Sequence, residues 1–221
     1  MTTNTTSGAS GTSSAIPSGS RASTRGLLLF AALAGPFFYL SSVVQALARD
    51  GFDIRVHPLS QLATGDLGWV QVLTFVVAGA GGVALATGYR RVRPQGVGRR
   101  AVPVLVALFG AAFVIAGLFP MDPRNGFPAG APSGAVALSW HAIVHTSAAA
   151  ASFVALAAAC IVLVIREIRA RRVASSLGHG AVALVLLLPM SPTESSVQIA
   201  LTGAVAFAWV TVMAIRLRAA A

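Results

Sequence analysis

The sequence has no lysine, one cysteine and only six acidic residues in 221 positions. Charged residues supply 10% of the chain, whereas soluble domains carry roughly 25%. This shortage excludes an ordinary soluble globular protein. The single cysteine, Cys160, excludes an intrachain disulfide and any zinc or iron–sulfur site built from cysteines. The sequence also lacks a Walker loop and a dinucleotide-binding fingerprint, which argues against an ATP-driven pump.

Long uncharged runs are what the sequence has in abundance, since 56% of its residues are hydrophobic. Residues 1–24 differ: thirteen of them are Ser or Thr, which predicts a disordered tail. In residues 25–218, six runs come near the roughly 20 residues that cross a bilayer as a helix. The predicted spans are 26–48, 68–89, 101–120, 138–165, 173–190 and 195–215. The predicted fold class is therefore an all-α, integral membrane six-helix bundle.

The first and the fifth spans each leave an alternative open. Arg21 and Arg25 precede the first run and Ala46-Leu47-Ala48 resembles a cleavage site, as in a signal peptide. However, the apolar part of a signal peptide is only about 7–15 residues long, so we expect a retained helix. The fifth span is the shortest. A turn around Ser191-Pro192-Thr193 joins it to the sixth, which predicts an antiparallel hairpin.

The arginines predict the orientation of the bundle. Three of the sixteen, Arg49, Arg55 and Arg124, fall on one predicted side together with five of the six acids. The other thirteen fall on the opposite side, which the positive-inside rule makes cytoplasmic. The protein is therefore predicted to lie in the cytoplasmic (inner) membrane with both termini on the cytoplasmic side. The net charge of +10 then indicates attraction to anionic membrane lipid rather than nucleic-acid binding. Protein partners cannot be predicted.

Three of the four histidines fall on the predicted outer side. His141 and His145 are four residues apart, which places both rings on one helix face, as in sites where two histidines share a metal. With His57 as a third ligand, zinc would keep a position for water and lower the pKa of that water to about 7. Asp122 could then act as the base and Ser60 as a catalytic auxiliary. Ala142 stands where a zincin has its glutamate, so the signature is incomplete.

A structural interpretation of the same residues competes with the metal site. Imidazoles at helix ends can hydrogen-bond carbonyl groups and hold external loops together, and Ser60 can be a turn residue. Asp66 directly precedes the second span and is predicted to cap it. We therefore favour a noncatalytic membrane protein whose outer cluster is structural or binds a small ligand. The alternative is an intramembrane zinc-dependent hydrolase that acts on lipid amide or ester bonds.

Three motifs in this order resemble a known family. They are HPLSQLATGDLGWVQ at positions 57–71, GLFPMD at positions 117–122, and the pair His141 and His145. The chain from about residue 26 to 218 resembles the bacterial and archaeal six-helix membrane family known as domain of unknown function 998. This resemblance implies the architecture and no established activity. The family often has a Glu-Arg pair before its last span, where this chain has Ser195-Ser196-Val197-Gln198.

A looser similarity concerns residue types alone. A histidine near a serine, then an aspartate, then a His-x-x-x-His pair is similar to intramembrane zinc hydrolases such as alkaline ceramidases and adiponectin receptors. By this analogy, His57, His141 and His145 would hold zinc, with Ser60 and Asp122 beside the reacting water. That group has seven core helices, and its serine precedes the first histidine instead of following it.

Overall fold

The computed structural model describes residues 18–134, 136–189 and 196–221, and these residues form helices without any strand. The all-α prediction is confirmed. A short 3-10 helix, Leu59–Ala63, lies between the first two long helices. The long helices are α1 (Ser18–Ala48), α2 (Gly68–Val92), α3 (Ala101–Leu118), α4 (Trp140–Arg169), α5 (Val173–Leu186) and α6 (Ser196–Ala219).

Two helices differ in length from the predicted spans. α1 begins at Ser18, so residues 18–24 continue the helix instead of belonging to the predicted tail. A long apolar helix can extend into Ser and Thr residues because propagation costs far less than nucleation. α5 has 14 residues, or about 21 Å at 1.5 Å per residue, and is shorter than its predicted span. Residues 1–17 and the predicted turn at 191–193 lie outside the described residues.

Helix length and surface composition support a multi-pass membrane protein. Five helices, all except α5, are long and apolar enough to cross a bilayer. Large apolar side chains point outward along them, as Leu40, Leu47, Val104 and Leu201 do. A surface this rich in exposed leucine and valine is unusual for a soluble monomer, because these apolar side chains would be in contact with water.

Close packing of small residues holds the first three helices together. α1, α2, α3 and α4 pack in chain order. The small residues at positions 78–82 of α2 include glycines that face α3. A Cβ atom added to Gly79 would collide with the backbone of Gly110, and one added to Gly110 would collide with Gly79. Glycine is therefore required at both positions for the two backbones to approach this closely.

Phenylalanines from four helices fill the centre of the bundle. Phe75 of α2 stacks on Phe113 of α3 with ring centroids 4.6 Å apart. Phe113 lies 5.1 Å from Phe207 of α6, and Phe38 of α1 lies 5.4 Å from Phe207. α6 packs mainly against α1 and α5 packs against α4, so that α4 and α6 make few contacts with each other. A gap therefore remains between α4 and α6.

The two ends of the bundle differ in composition. One end carries the segments 49–67 and 119–139 with three of the histidines, and we refer to it as the histidine end. The opposite end carries the segments 93–100 and 170–172, the first turns of α1 and the last turns of α2, α4 and α6. We refer to it as the arginine end, because thirteen of the sixteen arginines lie there.

Candidate functional site at the histidine end

His57 is enclosed by hydrogen bonds on both ring nitrogens. The backbone N–H of Asp53 donates to Nδ1 over 2.9 Å, and Nε2 lies 3.0 Å from the carbonyl oxygen of Asn125. Because a carbonyl only accepts, the proton of the neutral ring is on Nε2. The ring is 4% exposed and packs 5.4 Å from the ring of Phe127. A metal could bind His57 only if one of these hydrogen bonds broke.

Buried polar side chains join the two loops of the histidine end. Gln61 donates through Nε2 to the carbonyl oxygens of Arg124 and Phe127, at 2.6 and 3.0 Å. Asn125 (φ 55°) and Gly126 (φ 79°) adopt left-handed backbone conformations. This turn directs the carbonyl groups of Arg124 and Phe127 toward Gln61 and the carbonyl group of Asn125 toward His57. The 3-10 helix therefore docks onto a tight turn of the second loop.

Arg49 fastens the first loop to the end of α1. Its guanidinium donates to the carbonyl oxygens of Leu62 and Thr64, each over 2.6 Å, and lies 4.6 Å from the ring centroid of Phe127. Burial lowers the pKa of Arg49, and the nearby charge of Asp66 opposes this shift. An arginine fork suits this position because it can serve two carbonyl groups at once.

His141 and His145 cap the end of α3. The carbonyl of Ala116 has no helical donor four residues on, because that residue is Pro120, which lacks an N–H. Nδ1 of His145 lies 2.6 Å from this carbonyl oxygen. Nδ1 of His141, one turn earlier on α4, lies 3.0 Å from the carbonyl oxygen of Pro120. Both rings therefore donate through Nδ1 to backbone carbonyl groups at the end of α3 that have no helical N–H donor.

Asp122 orders the start of α4. Ser139, the N-cap residue of α4, donates its backbone N–H to Oδ2 over 2.7 Å and its hydroxyl to Oδ1 over 2.6 Å. Partial burial tends to raise the pKa of Asp122, but the two Ser139 hydrogen bonds and the nearby His141 and Arg124 charges lower it below its ordinary value. The carboxylate is thus held ionised and is a weak base. It holds Ser139 in the position that caps the helix.

The predicted metal ligands are not gathered into one group. His141 lies 3.8 Å from Asp122, whereas His57 is bonded to Asp53 and Asn125. Within residues 18–134, 136–189 and 196–221, no group of three or more His, Cys, Asp or Glu side chains is placed to hold a metal ion. The assignment of His57, His141 and His145 to zinc therefore stays a prediction, as do the catalytic roles of Asp122 and Ser60.

A partly open, mainly apolar cavity lies between α4 and α6 at this end. Its inner part, of about 70 Å³, reaches the Phe38, Phe75, Phe113 and Phe207 cluster. Its outer part, of about 200 Å³, ends at polar or charged groups. These are Ser60, Arg124, His145 and Thr146. We refer to the two parts together as the lateral cavity; both are lined by Pro58, Ser60, His145, Ala149, Phe153 and Ile199.

Arg124 gives the mouth of the lateral cavity a positive charge. The residue is 3% exposed, and burial lowers its pKa while the charge of Asp122 opposes this shift. Asp122 itself does not line the cavity among the described residues. The polar groups at the mouth are therefore one guanidinium, one imidazole and two hydroxyl groups, and the walls beside them are apolar.

Three residues organise this end although no prediction from the sequence gave them this role, and one predicted cap is wrong. They are Ser139, Gln61 and Arg49. The N-cap residue of α2 is Leu67, with no side-chain hydrogen bond, so the capping role predicted for Asp66 is wrong. Ser139 lies inside the predicted span 138–165, but a serine is a known N-cap signal and could have placed the start of α4 at Trp140. No sequence signal indicates that Gln61 would reach the carbonyl group of Phe127, 66 positions away.

Comparison with known proteins adds a family to this description. A family model described as "Protein of unknown function (DUF998)" matches residues 32–217, from within α1 to within α6. The chain belongs to the DUF998 family. Neither the curated proteins nor the solved structures give a match. The DUF998 match confirms the resemblance drawn from the motifs but assigns no activity, so function must be inferred from the site.

Proposed function

We propose that this DUF998 protein binds a lipid-like amphiphile with an anionic headgroup in the lateral cavity. The observation that carries the proposal is an apolar cavity, partly open at the exposed residue Ala150, whose outer end holds the buried guanidinium of Arg124. An apolar chain would lie against Phe153 and Ile199, and its headgroup would accept hydrogen bonds from Ser60 or Arg124.

Cavity size limits the class of ligand. Pockets that enclose a drug-sized molecule measure roughly 300–1,000 Å³, and the larger part of this cavity measures about 200 Å³. The cavity therefore suits one acyl chain, or the end of one, while the remainder of the molecule stays in the bilayer. Because α4 and α6 make few contacts, such a chain could enter sideways between them.

The test uses a long-chain fatty acid that carries a photoreactive diazirine, with the full chain in detergent micelles or bilayers. We expect crosslinks on α4 between positions 146 and 153 and on the 3-10 helix. In Ala149→Phe the new ring fills the space of the ligand chain, and we expect crosslinking there to fall below about one fifth of wild type.

A matched control lies on the same helix. Ala151 is exposed and does not line the cavity, so Ala151→Phe adds the same ring to the outer surface of α4. Crosslinking in this variant should equal that of wild type. Equal losses in both variants, or adducts spread evenly over all helices, would mean that the probe only dissolves in the surrounding lipid and would refute the proposal.

The orientation is also part of this proposal. We infer that the arginine end faces the cytoplasm and the histidine end faces outward, since arginine-rich segments are retained inside. Cysteines placed at Ser133 and Ala170, both exposed, test it, because the native Cys160 is buried. An impermeant thiol reagent added outside intact cells should label the first position only, and labelling of Ala170→Cys alone would reverse the assignment.

The zinc hydrolase alternative rests on one feature of the site. His141 and His145 donate through Nδ1, which leaves each neutral ring a lone pair on Nε2. Metal analysis of protein purified without chelator or metal-affinity resin separates the two functions. Near-stoichiometric zinc that is lost in His141→Ala would favour the hydrolase, whereas equal and negligible zinc in both proteins favours the amphiphile-binding proposal.

A further inference from the structure

The arginine end contains a pocket that the function proposed above does not use. It measures about 110 Å³ and lies where α2, α4, α5 and α6 meet. Four guanidinium groups line it, and Glu167 is the one acidic residue among its described lining residues. The lining arginines are Arg93, Arg166, Arg172 and Arg216. The pocket therefore has an excess of positive charge, and Arg93, Arg172 and Arg216 are exposed at this end of the bundle.

The protein itself satisfies only part of this charge. Glu167 lies 3.8 Å from Arg166 and 3.8 Å from Arg172, distances longer than a hydrogen bond. Arg166 also donates to the hydroxyl group of Tyr89 over 2.8 Å. The side chains of Arg93 and Arg216 make no hydrogen bond and no salt bridge with the described residues. Two of the four cations thus face the pocket without an anion.

An apolar slot continues from the pocket between α5 and α6. It measures about 410 Å³, and it shares Ser175, His179 and Arg216 with the pocket. Small and apolar residues such as Gly178, Val205 and Ala208 line the rest of the slot. A Cβ added to Gly178 would meet no atom within 4 Å, which shows how open this side of α5 is.

We propose that the arginine end binds an anionic lipid, with its phosphate in the arginine pocket and an acyl chain in the slot. Arginine suits a phosphate because its planar fork donates two parallel hydrogen bonds. Basic pockets between membrane helices are suited to phosphate headgroups for the same reason. The slot favours a lipid over a soluble phosphate, since a soluble ligand would leave the apolar walls empty. This site shares no lining residue with the lateral cavity.

Trp209 provides a probe inside the site. Its indole N–H donates to Nδ1 of His179 over 3.0 Å, and it lines the slot. The other two tryptophans, Trp69 and Trp140, are exposed at the histidine end, so replacing both with phenylalanine leaves Trp209 as the reporter. In bilayers, phospholipids with brominated acyl chains quench a tryptophan that they contact. Quenching by brominated phosphatidylglycerol is compared with quenching by brominated phosphatidylcholine.

We expect phosphatidylglycerol to be preferred, and Arg216→Gln to reduce that preference about tenfold, the effect of losing one hydrogen bond to a charged group. Arg169→Gln is the matched control, because Arg169 is exposed at the same end and does not line the pocket. Ala208→Phe should reduce quenching by both lipids because it fills the slot without changing any charge.

Three outcomes would overturn the proposal. Equal losses in Arg216→Gln and Arg169→Gln would mean that the whole basic surface attracts lipid and that the pocket does not select the headgroup. The absence of a headgroup preference in the parent protein would also refute it. Protection of Trp209 from quenching by saturating inorganic phosphate, with no selectivity between the two lipids, would identify the ligand as a soluble phosphate. Size-exclusion profiles that match the parent establish that each variant is folded.

Discussion

The two ends of the bundle treat their polar side chains in opposite ways. At the histidine end, polar groups are used within the protein: His57, Gln61 and Arg49 each bond two backbone groups. At the arginine end, Arg93 and Arg216 border a pocket and have no anionic partner among the described residues. Histidines, whose spacing suggests metal binding, can therefore serve the structure. Arginines, whose distribution indicates orientation, can also line a pocket.

The comparison separates the spacing of the histidines from their contacts, and the assignment of His57, His141 and His145 to zinc stays a prediction. An imidazole at a helix end can bind a metal only through a ring nitrogen that is not already engaged. His57 has both nitrogens engaged, and the His141–His145 pair serves the interrupted end of α3. Spacing alone shows that two rings share a face but does not show what that face contacts.

The largest expected effect concerns the hydrogen bond between His145 and Ala116. We expect His145→Leu, which keeps an apolar side chain in the same space, to lower the free energy of unfolding by about 2 kcal/mol, because a buried carbonyl loses its donor. Reversible unfolding in mixed micelles with increasing dodecyl sulfate measures this change. His141→Leu should cost less, since the side chain of His141 is 37% exposed and water can replace it.

A second substitution tests whether proline is the reason for the histidine. Pro120→Ala supplies an N–H four residues after Ala116, which can complete the helical hydrogen bond. In that background, the cost of His145→Leu should fall by about 1 kcal/mol, a coupling expected of groups that share one partner. An unchanged cost would mean that His145 stabilises the protein through some other contact.

Replacing one arginine by glutamine at each end gives the next largest difference in the free energy of unfolding. Arg49→Gln removes two charge-assisted hydrogen bonds to carbonyl groups, and we expect the free energy of unfolding to fall by about 2 kcal/mol. Arg216→Gln should change it by less than about 0.5 kcal/mol, since the residue is exposed and makes no such bond. Thermal unfolding of both variants in one detergent provides the measurement. A comparable loss at Arg216 would show that the arginine end is also structural.

The helices could be predicted from the sequence because their cause is local. Runs of apolar residues predicted the long helices among the described residues to within a few residues at most boundaries. The exceptions are the start of α1 at Ser18 and the end of α5 at Leu186. The run of small residues at positions 78–82 of α2 is also visible in the sequence, and Gly79 packs closely on Gly110. These features depend on composition and period, which a single sequence contains.

The candidate site could be predicted only in part because its contacts are distant in sequence. His57 meets Asn125 across 68 positions and Arg166 meets Tyr89 across 77. The sequence indicated that polar residues gather at each end, but which of them bond to each other depends on loop conformation. The left-handed backbone conformation of Asn125 turns its carbonyl group toward His57. The sequence around these two residues does not predict this contact.

The smallest expected effect is a dependence of the histidine end on acid. The pKa of Asp122 is lower in the folded protein than its ordinary value, so its hydrogen bonds with Ser139 stabilise the fold above the unfolded pKa of about 3.9. That stabilisation is lost as the pH falls through the lowered pKa. Amide exchange at the start of α4, measured relative to the intrinsic exchange rate at each pH, should therefore accelerate as the pH falls below about 4. In Asp122→Asn this dependence should disappear, and the arginine end, far from Asp122, should show none in either protein. Acceleration that persists in Asp122→Asn would assign the acid sensitivity to another carboxylate, with Asp53, whose pKa is lowered to about 2 by Arg55, the next to test.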